Sequence, residues 1–385
     1  MFSRLFRFSS LIAIVAVTAT IACSDGCDDE PEAPAAGERI PGVSYLQFGT
    51  YHLCTIDDDR KVWCTGQNHF GQLGDGTTHQ QSELVEVAGL GEMAGLAVGH
   101  FDTTCAWNDD GELFCWGSNT HGVLADEDLT YSTTAVRIDG LPPVVDVDLG
   151  AFHACAVTAA GEVYCWGSNE SGQIGAGEDI EEIIRAPRKV EGIDYAVRVG
   201  VGAEHSCALD QEGALYCWGS NQYGQVGLDL FGVLHVHHPD RVGEELGPVD
   251  DFDVAFQHTC ATFGDSRQLH CWGRNQYGQF GLDDLDPRNK PAEVVEMIGV
   301  DEVATGEGQT CARIDNAVYC AGEVLRPVEE ARETGEGYFF RKSAALEHAV
   351  ELWGGILAIC GPAHQHAIAC RGVQAHDISG DIFED

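Results

Sequence analysis

Fourteen of the sixteen cysteines in this chain stand in close pairs: Cys54 with Cys64, Cys105 with Cys115, Cys155 with Cys165, Cys207 with Cys217, Cys260 with Cys271, Cys311 with Cys320, and Cys360 with Cys370. Thiols so placed can oxidise to a disulfide or ligate a soft metal, and the spacing separates the two. Between Cys207 and Cys217 the residues Gln211, Glu212 and Gly213 suit a three-residue hairpin loop whose last position is left-handed and so favours glycine. Asp210 then faces Ala214 and Cys207 faces Cys217. Opposed residues of antiparallel strands lie roughly 4.5 to 5.5 Å apart at Cα, within disulfide reach. Gly111 and Gly161 hold the same loop position in two other units, the sixth pair fits a two-residue Asp315-Asn316 turn, and the fifth accommodates a loop from Gly264 to Arg267. Zinc knuckles need Cys-x-x-Cys spacing, which none of these pairs has. Seven hairpin disulfides are therefore expected.

Other residues with chemical potential are weaker candidates. His52, His153, His205 and His258 occupy one position in four units, too far apart around a ring to share a metal, so structural roles are expected. His235, His237 and His238, followed by Asp240, lie in what reads as the longest insertion, after unit four, and a His-x-His pair is the one candidate metal site. Asp57-Asp58-Asp59 and Asp109-Asp110-Gly111 sit at hairpin tips and do not continue into a calcium loop. No nucleophile elbow, phosphate-binding loop or His-Glu-x-x-His run is present. Ser206 and His205 are strand neighbours whose side chains point to opposite faces. No enzyme activity and no cofactor are expected.

The elements that must position these residues repeat. First cysteines recur every 49 to 53 residues, a period that signals a solenoid, a propeller or an array. Unit three has four β-prone runs, at Val144 to Leu149, Ala154 to Thr158, Glu162 to Trp166 and near Pro187 to Val190, which describes a propeller blade. The expectation is an all-β, seven-bladed propeller of four-stranded blades. Only fifteen residues follow Cys370, so Glu38 to Ile40 would lend the last blade its outer strand; six blades are the alternative, because the last two units are degenerate.

The run Cys-Trp-Gly-Ser-Asn-x-x-Gly-Gln-x-Gly at 165–175 and 217–227, with Arg274 replacing Ser at 271–281, follows Gly-x-x-His-x-Cys in the best-kept units. This pattern resembles the regulator of chromosome condensation repeat, and the resemblance covers roughly residues 38 to 372. It implies a seven-bladed propeller that binds rather than catalyses, in a family that includes a nuclear exchange factor for a small GTPase and a bacterial inhibitor of β-lactamase. Unit one has Thr65-Gly66 for Trp-Gly, and unit two has Val123 and Ala125 for Gln and the last Gly. Asn169, Asn221 and Asn275 with Gln173, Gln225 and Gln279 are expected to hydrogen-bond the glycine-rich bend, and Trp116, Trp166, Trp218 and Trp272 to pack between blades.

Composition narrows the function. Acids outnumber bases 62 to 21, a formal charge of −41, which would repel a phosphate backbone and excludes nucleic acid as the expected partner. Residues 1–22 carry Arg4 and Arg7 ahead of a short apolar run and read as a signal peptide. Thr20-Ile21-Ala22-Cys23 resembles a bacterial lipobox, while Thr20 and Ala22 also suit ordinary signal peptidase, so lipidation of Cys23 and plain cleavage stand as alternatives, and Cys27 is left over. Residues 23–37 read as an acidic tether and 38–385 as the propeller. The expected protein is an exported, monomeric scaffold at the cell envelope, held to the membrane only by its lipid anchor, that binds a protein partner. The alternatives are a secreted enzyme inhibitor, a carbohydrate- or metal-binding module, and a nucleotide exchange factor, which export disfavours.

Overall fold

The computed structural model describes residues 45–177, 181–230, 232–322, 340–343, 346, 349, 352–354, 358–362 and 368–372. Every four-stranded sheet is an up-and-down meander, with strands hydrogen-bonded in chain order. Six complete blades cover 45–86, 95–137, 144–189, 196–242, 249–293 and 302–342, and their first strands line a common axis. The expected count of seven four-stranded blades is thus corrected: six are complete, as in the six-bladed alternative. The seventh cysteine unit contributes a three-stranded sheet, Trp353–Gly354, Ala358–Pro362 and Ile368–Gly372. Its first strand contacts the first strands of blades one and six. Among the described residues no fourth strand pairs with Ile368–Gly372, and Glu38 to Ile40 lie outside the described residues.

Local geometry follows the spacing. In blade four Cys207 pairs with Cys217 and Leu209 with Leu215, Gly213 closes the loop at φ +80°, and the Gly213 N–H donates to the Asp210 carbonyl. In blade five Phe263 pairs with Gln268 across a four-residue loop, and in blade six Ile314 pairs with Ala317 across a two-residue turn. Six cysteine pairs are disulfide-bonded, with Cα atoms 4.0 to 4.2 Å apart. Cys360 and Cys370 face each other in backbone register, and the bond between their side chains lies outside the described residues.

The glycine of the Trp-Gly step has a specific cause. In five blades the pairing of strands three and four slips between the second cysteine and this glycine. Gly167 takes φ +111° there, and a Cβ would sit 2.7 Å from the His153 Cα on strand two, so no side chain fits. Outer strands are the least legible in sequence. Blade three's runs Ile183–Lys189, starting earlier than the expected Pro187 to Val190, and of its residues Ile184 alone is buried; an edge strand tolerates Pro187 because one side of its ladder is unpaired.

Each disulfide is fully buried and closes a ten-residue hairpin or nearly so. Replacing Cys155 and Cys165 together by Ala is expected to lower stability by about 2–3 kcal/mol through release of loop-closure entropy, read as a lower denaturant midpoint. An unchanged midpoint would show that the register of the hairpin holds without the bond.

Candidate binding site: blade joints, axial well and loop face

The residues that recur from blade to blade are used inside the fold. Asn169, Asn221 and Asn275 each accept, through Oδ1, the backbone N–H five residues on, at 3.1 to 3.3 Å, and their amide groups donate to carbonyls of the chain entering strand four. Gln173, Gln225 and Gln279 accept from the N–H two residues earlier at 2.9 to 3.0 Å. Together they satisfy the irregular backbone of the bend. The four expected tryptophans are fully buried. Each indole donates to a backbone carbonyl of the preceding blade: Trp116 to Gln72, Trp166 to Val123, Trp218 to Gln173 and Trp272 to Gln225, at 2.7 to 2.9 Å. Unit two tolerates Val123 at the Gln position because the acceptor is main chain.

The four histidines form a second joint. Nε2 of His52, His153, His205 and His258 meets the hydroxyl of Thr104, Ser206, Thr259 and Thr310 of the next blade at 2.7 to 3.2 Å. The first three of those hydroxyls donate onward to the carbonyl that also receives the tryptophan. A hydroxyl has one proton, so the imidazole donates through Nε2–H and Nδ1 is the bare acceptor, unpartnered and buried. Where a blade lacks this histidine the next lacks the hydroxyl: Thr103 precedes Ala154, and Gln309 precedes Ile359. This covariation was present in the sequence but is visible only once the blades are known to be neighbours in order.

His235, His237 and His238 do not lie in an insertion loop. They belong to the outer strand of blade four, His235–Val242, whose Asp240 pairs with Cys217. The rings of His235 and His237 have centroids 6.3 Å apart, and among the described residues no three His, Cys, Asp or Glu side chains converge on a metal position. Asp57 caps its own hairpin, accepting from the Lys61 N–H and the Trp63 indole.

Sequence reasoning missed the axis. The first strands enclose a cavity of about 380 Å³. Its walls carry carboxylates that clamp one blade to the next. Asp146 and Asp148 accept from the N–H groups of Val199 and Val201, Asp251 and Asp253 from those of Val303 and Thr305, and Glu302 from that of Leu352, at 2.6 to 2.9 Å. Blade four breaks the pattern with Arg198, whose guanidinium pairs with Asp251 at 2.5 Å. Burial pushes Asp146, Asp253 and Glu302 above the ordinary carboxylate range. It pushes Asp148 up to about 7, with Asp253 and Asp146 adding to the effect. Burial alone would lower the Arg198 value, but Asp251, Asp253 and Asp146 outweigh it and hold the group charged.

At one end the cavity is covered by rings. His100 stacks on Phe256 at 5.7 Å between centroids and an interplanar angle of 29°, and Phe101 touches both Phe152 and Phe256. These rings come from the loops between strands one and two. Blade two's loop is one residue longer, closing from the Gly99 N–H to the Thr103 carbonyl where blade three closes from Gly150 to His153, so His100 reaches non-adjacent blade five. On the same face Tyr51 and Phe70 are exposed, His121 packs on Phe152, and Arg274 lies between the Tyr223 and Tyr277 rings, 5.4 and 5.6 Å from their centroids.

Blade joints, Gly-rich bends and paired hairpins are the parts of one repeat, and residues 22–326 match the model of the RCC1-like domain. The chain belongs to that family. Among RCC1-like relatives, the ultraviolet-B receptor UVR8 of Arabidopsis thaliana is 28% identical over 282 residues, 71% of this chain and 62% of that protein. The human E3 ubiquitin-protein ligase HERC2 is 31% identical over 190 residues, 47% of this chain and 4% of that protein. The chain therefore spans less than two thirds of either relative. Of solved structures, Prp20p of Saccharomyces cerevisiae superposes with a TM-score of 0.70 at 20% identity, over 86% of this chain and 83% of that one. Human WBSCR16 gives 0.70 at 21%, over 83% and 86%. At these identities the structures share the fold.

Burial pushes His52, His153, His205 and His258 down to about 3, from 6.5 in the unfolded chain. The unfolded chain thus takes up protons that the folded RCC1-like domain refuses, and this stability is lost as pH falls from about 6.5 toward 3. Asp148 acts the other way, its contribution being lost as pH rises from 3.8 through about 7. His205→Gln keeps a donor for Thr259 and removes one titrating group. Denaturant midpoints measured between about pH 4 and 6 should then fall less steeply, by about one proton's worth of slope; an unaltered slope would remove His205 from the titration.

Proposed function

We propose that this RCC1-like chain is a non-catalytic interaction module that docks a protein partner on the loop face of its propeller. The observation that carries the reading is the division of labour among side chains. Repeated Asn, Gln, Trp and His are consumed by bends and blade joints, whereas Tyr51, Phe70, Tyr223, Tyr277 and Arg274 vary between blades and gather on one face. Tyrosine, other aromatics and arginine are the side chains that anchor protein interfaces. Prp20p carries a fold of this kind, and its structure was presented with its binding to Gsp1p and histones, which supports binding as the mode of action. A charge of −41 points to a basic or mixed partner surface and association that weakens with salt.

The compartment belongs to the same reading. Residues 1–22 act as an export signal, Cys23 takes the lipid and 23–37 form the tether. Six buried disulfides support an oxidising destination. Among the described residues no helix is long and apolar enough to cross a membrane.

Two measurements test this. A photo-crosslinking residue at Tyr51 or Phe70 should give saturable adducts with a purified partner, and the same residue at Tyr195 on the opposite face should not; equal labelling would refute the loop-face assignment. Mass spectrometry of the mature N-terminus should find an acylated Cys23, and a free amino terminus elsewhere would exclude the anchor.

A further inference from the structure

The axial cavity is ringed by the first strands of the blades. Ala97, Gly200 and Ala304 line it at the level of Asp148 and Asp253, and none of these three carries a side chain long enough to reach across the axis. The hairpin-tip end is open, for Arg198 keeps 41% of its side-chain surface exposed there. The loop end is closed by His100 and Phe256. The result is a blind well with an aromatic floor. Facing into it are Asp146, Asp148, Asp251, Asp253, Glu302 and Glu307, against one guanidinium. His100 is pushed down to about 4 by burial and brings no positive charge.

Size and sign together restrict an occupant. About 380 Å³ is at the small end of ligand pockets, which run from about 300 to 1,000 Å³. Carboxylate walls reject phosphates and carboxylates, and the aromatic residues His100 and Phe256 at the closed end give a cation's alkyl part an apolar surface to lie against. We propose that the well binds an organic cation, an alkylammonium or alkylguanidinium group that enters from the hairpin-tip face and lies between the carboxylate walls and the His100–Phe256 floor. Raised carboxylates accord with this, because a cation drawn into the well would favour their ionised forms and release protons. The group could arrive as a free small molecule or as a lysine or arginine side chain. The mouth is on the face opposite the proposed docking surface, so the two ideas fail separately.

Calorimetric titration of the full disulfide-bonded chain with butylguanidinium, near neutral pH and low salt, tests the site. Saturable binding is expected with Kd about 0.1–1 mM. Proton release should be visible as a heat that changes with the ionisation enthalpy of the buffer. Butylurea, of nearly the same shape but uncharged, should not saturate. Asp148→Asn with Asp253→Asn keeps the acceptors of the blade clamps and should weaken binding about tenfold with little change in melting temperature; the single Asp148→Asn variant serves if the pair does not fold. An acetylated pentapeptide with one central arginine separates the sources: competition with butylguanidinium indicates a presented side chain, and its absence a free cation. No saturation by butylguanidinium, equal binding of butylurea, or unchanged affinity in a folded Asn variant would overturn the proposal.

Discussion

A main-chain carbonyl in each of four blades binds it to the next. The carbonyls of Gln72, Gln173 and Gln225 each receive an indole N–H and a hydroxyl from the following blade. In each case that hydroxyl also receives a histidine of the blade that bears the carbonyl. Three donors thus converge on a site from which water is excluded, and an unmatched partner there would cost about 1–3 kcal/mol. Much of the repeat's vocabulary follows from this constraint. The Asn and Gln side chains shape the bend that presents the carbonyl, the glycine after tryptophan allows the strand slip, and the histidine neutralises the hydroxyl's remaining lone pair. Val123 is tolerated for the same reason, since its carbonyl is as good an acceptor as any other.

The axis is built on a second and more costly set of contacts. Carboxylates bridge inner strands by accepting backbone N–H groups, and burial raises their proton affinity. Replacing buried charged groups by well-packed apolar residues is often neutral or stabilising, so stability alone does not call for them. Here they line a hollow closed at one end by rings, while the tryptophan and histidine joints lie farther out between the blades.

Legibility varied with sequence distance. The hairpins from Cys207 to Cys217 and from Cys311 to Cys320 were readable to the residue because loop length sets register over a few positions. The bend residues Asn221 and Gln225 were readable because their partners lie two to five residues away. His235 to His238 were misplaced in a loop because an exposed outer strand has no apolar alternation to announce it. The blade count was overstated because seven cysteine pairs count hairpins, whereas a complete blade also needs an outer strand.

By itself, the sequence determined the repeat, the hairpins with their cysteine pairing, the acidity and the absence of any familiar catalytic motif, since each of these rests on local spacing or on composition. Tertiary structure alone decided that His205 meets Thr259, that His100 crosses the axis to Phe256, and that Asp146, Asp148, Asp251 and Asp253 surround one hollow. Those residues are about 50 or more positions apart from blade to blade, and their meeting depends on the radius and order of the closed ring, which no single unit encodes.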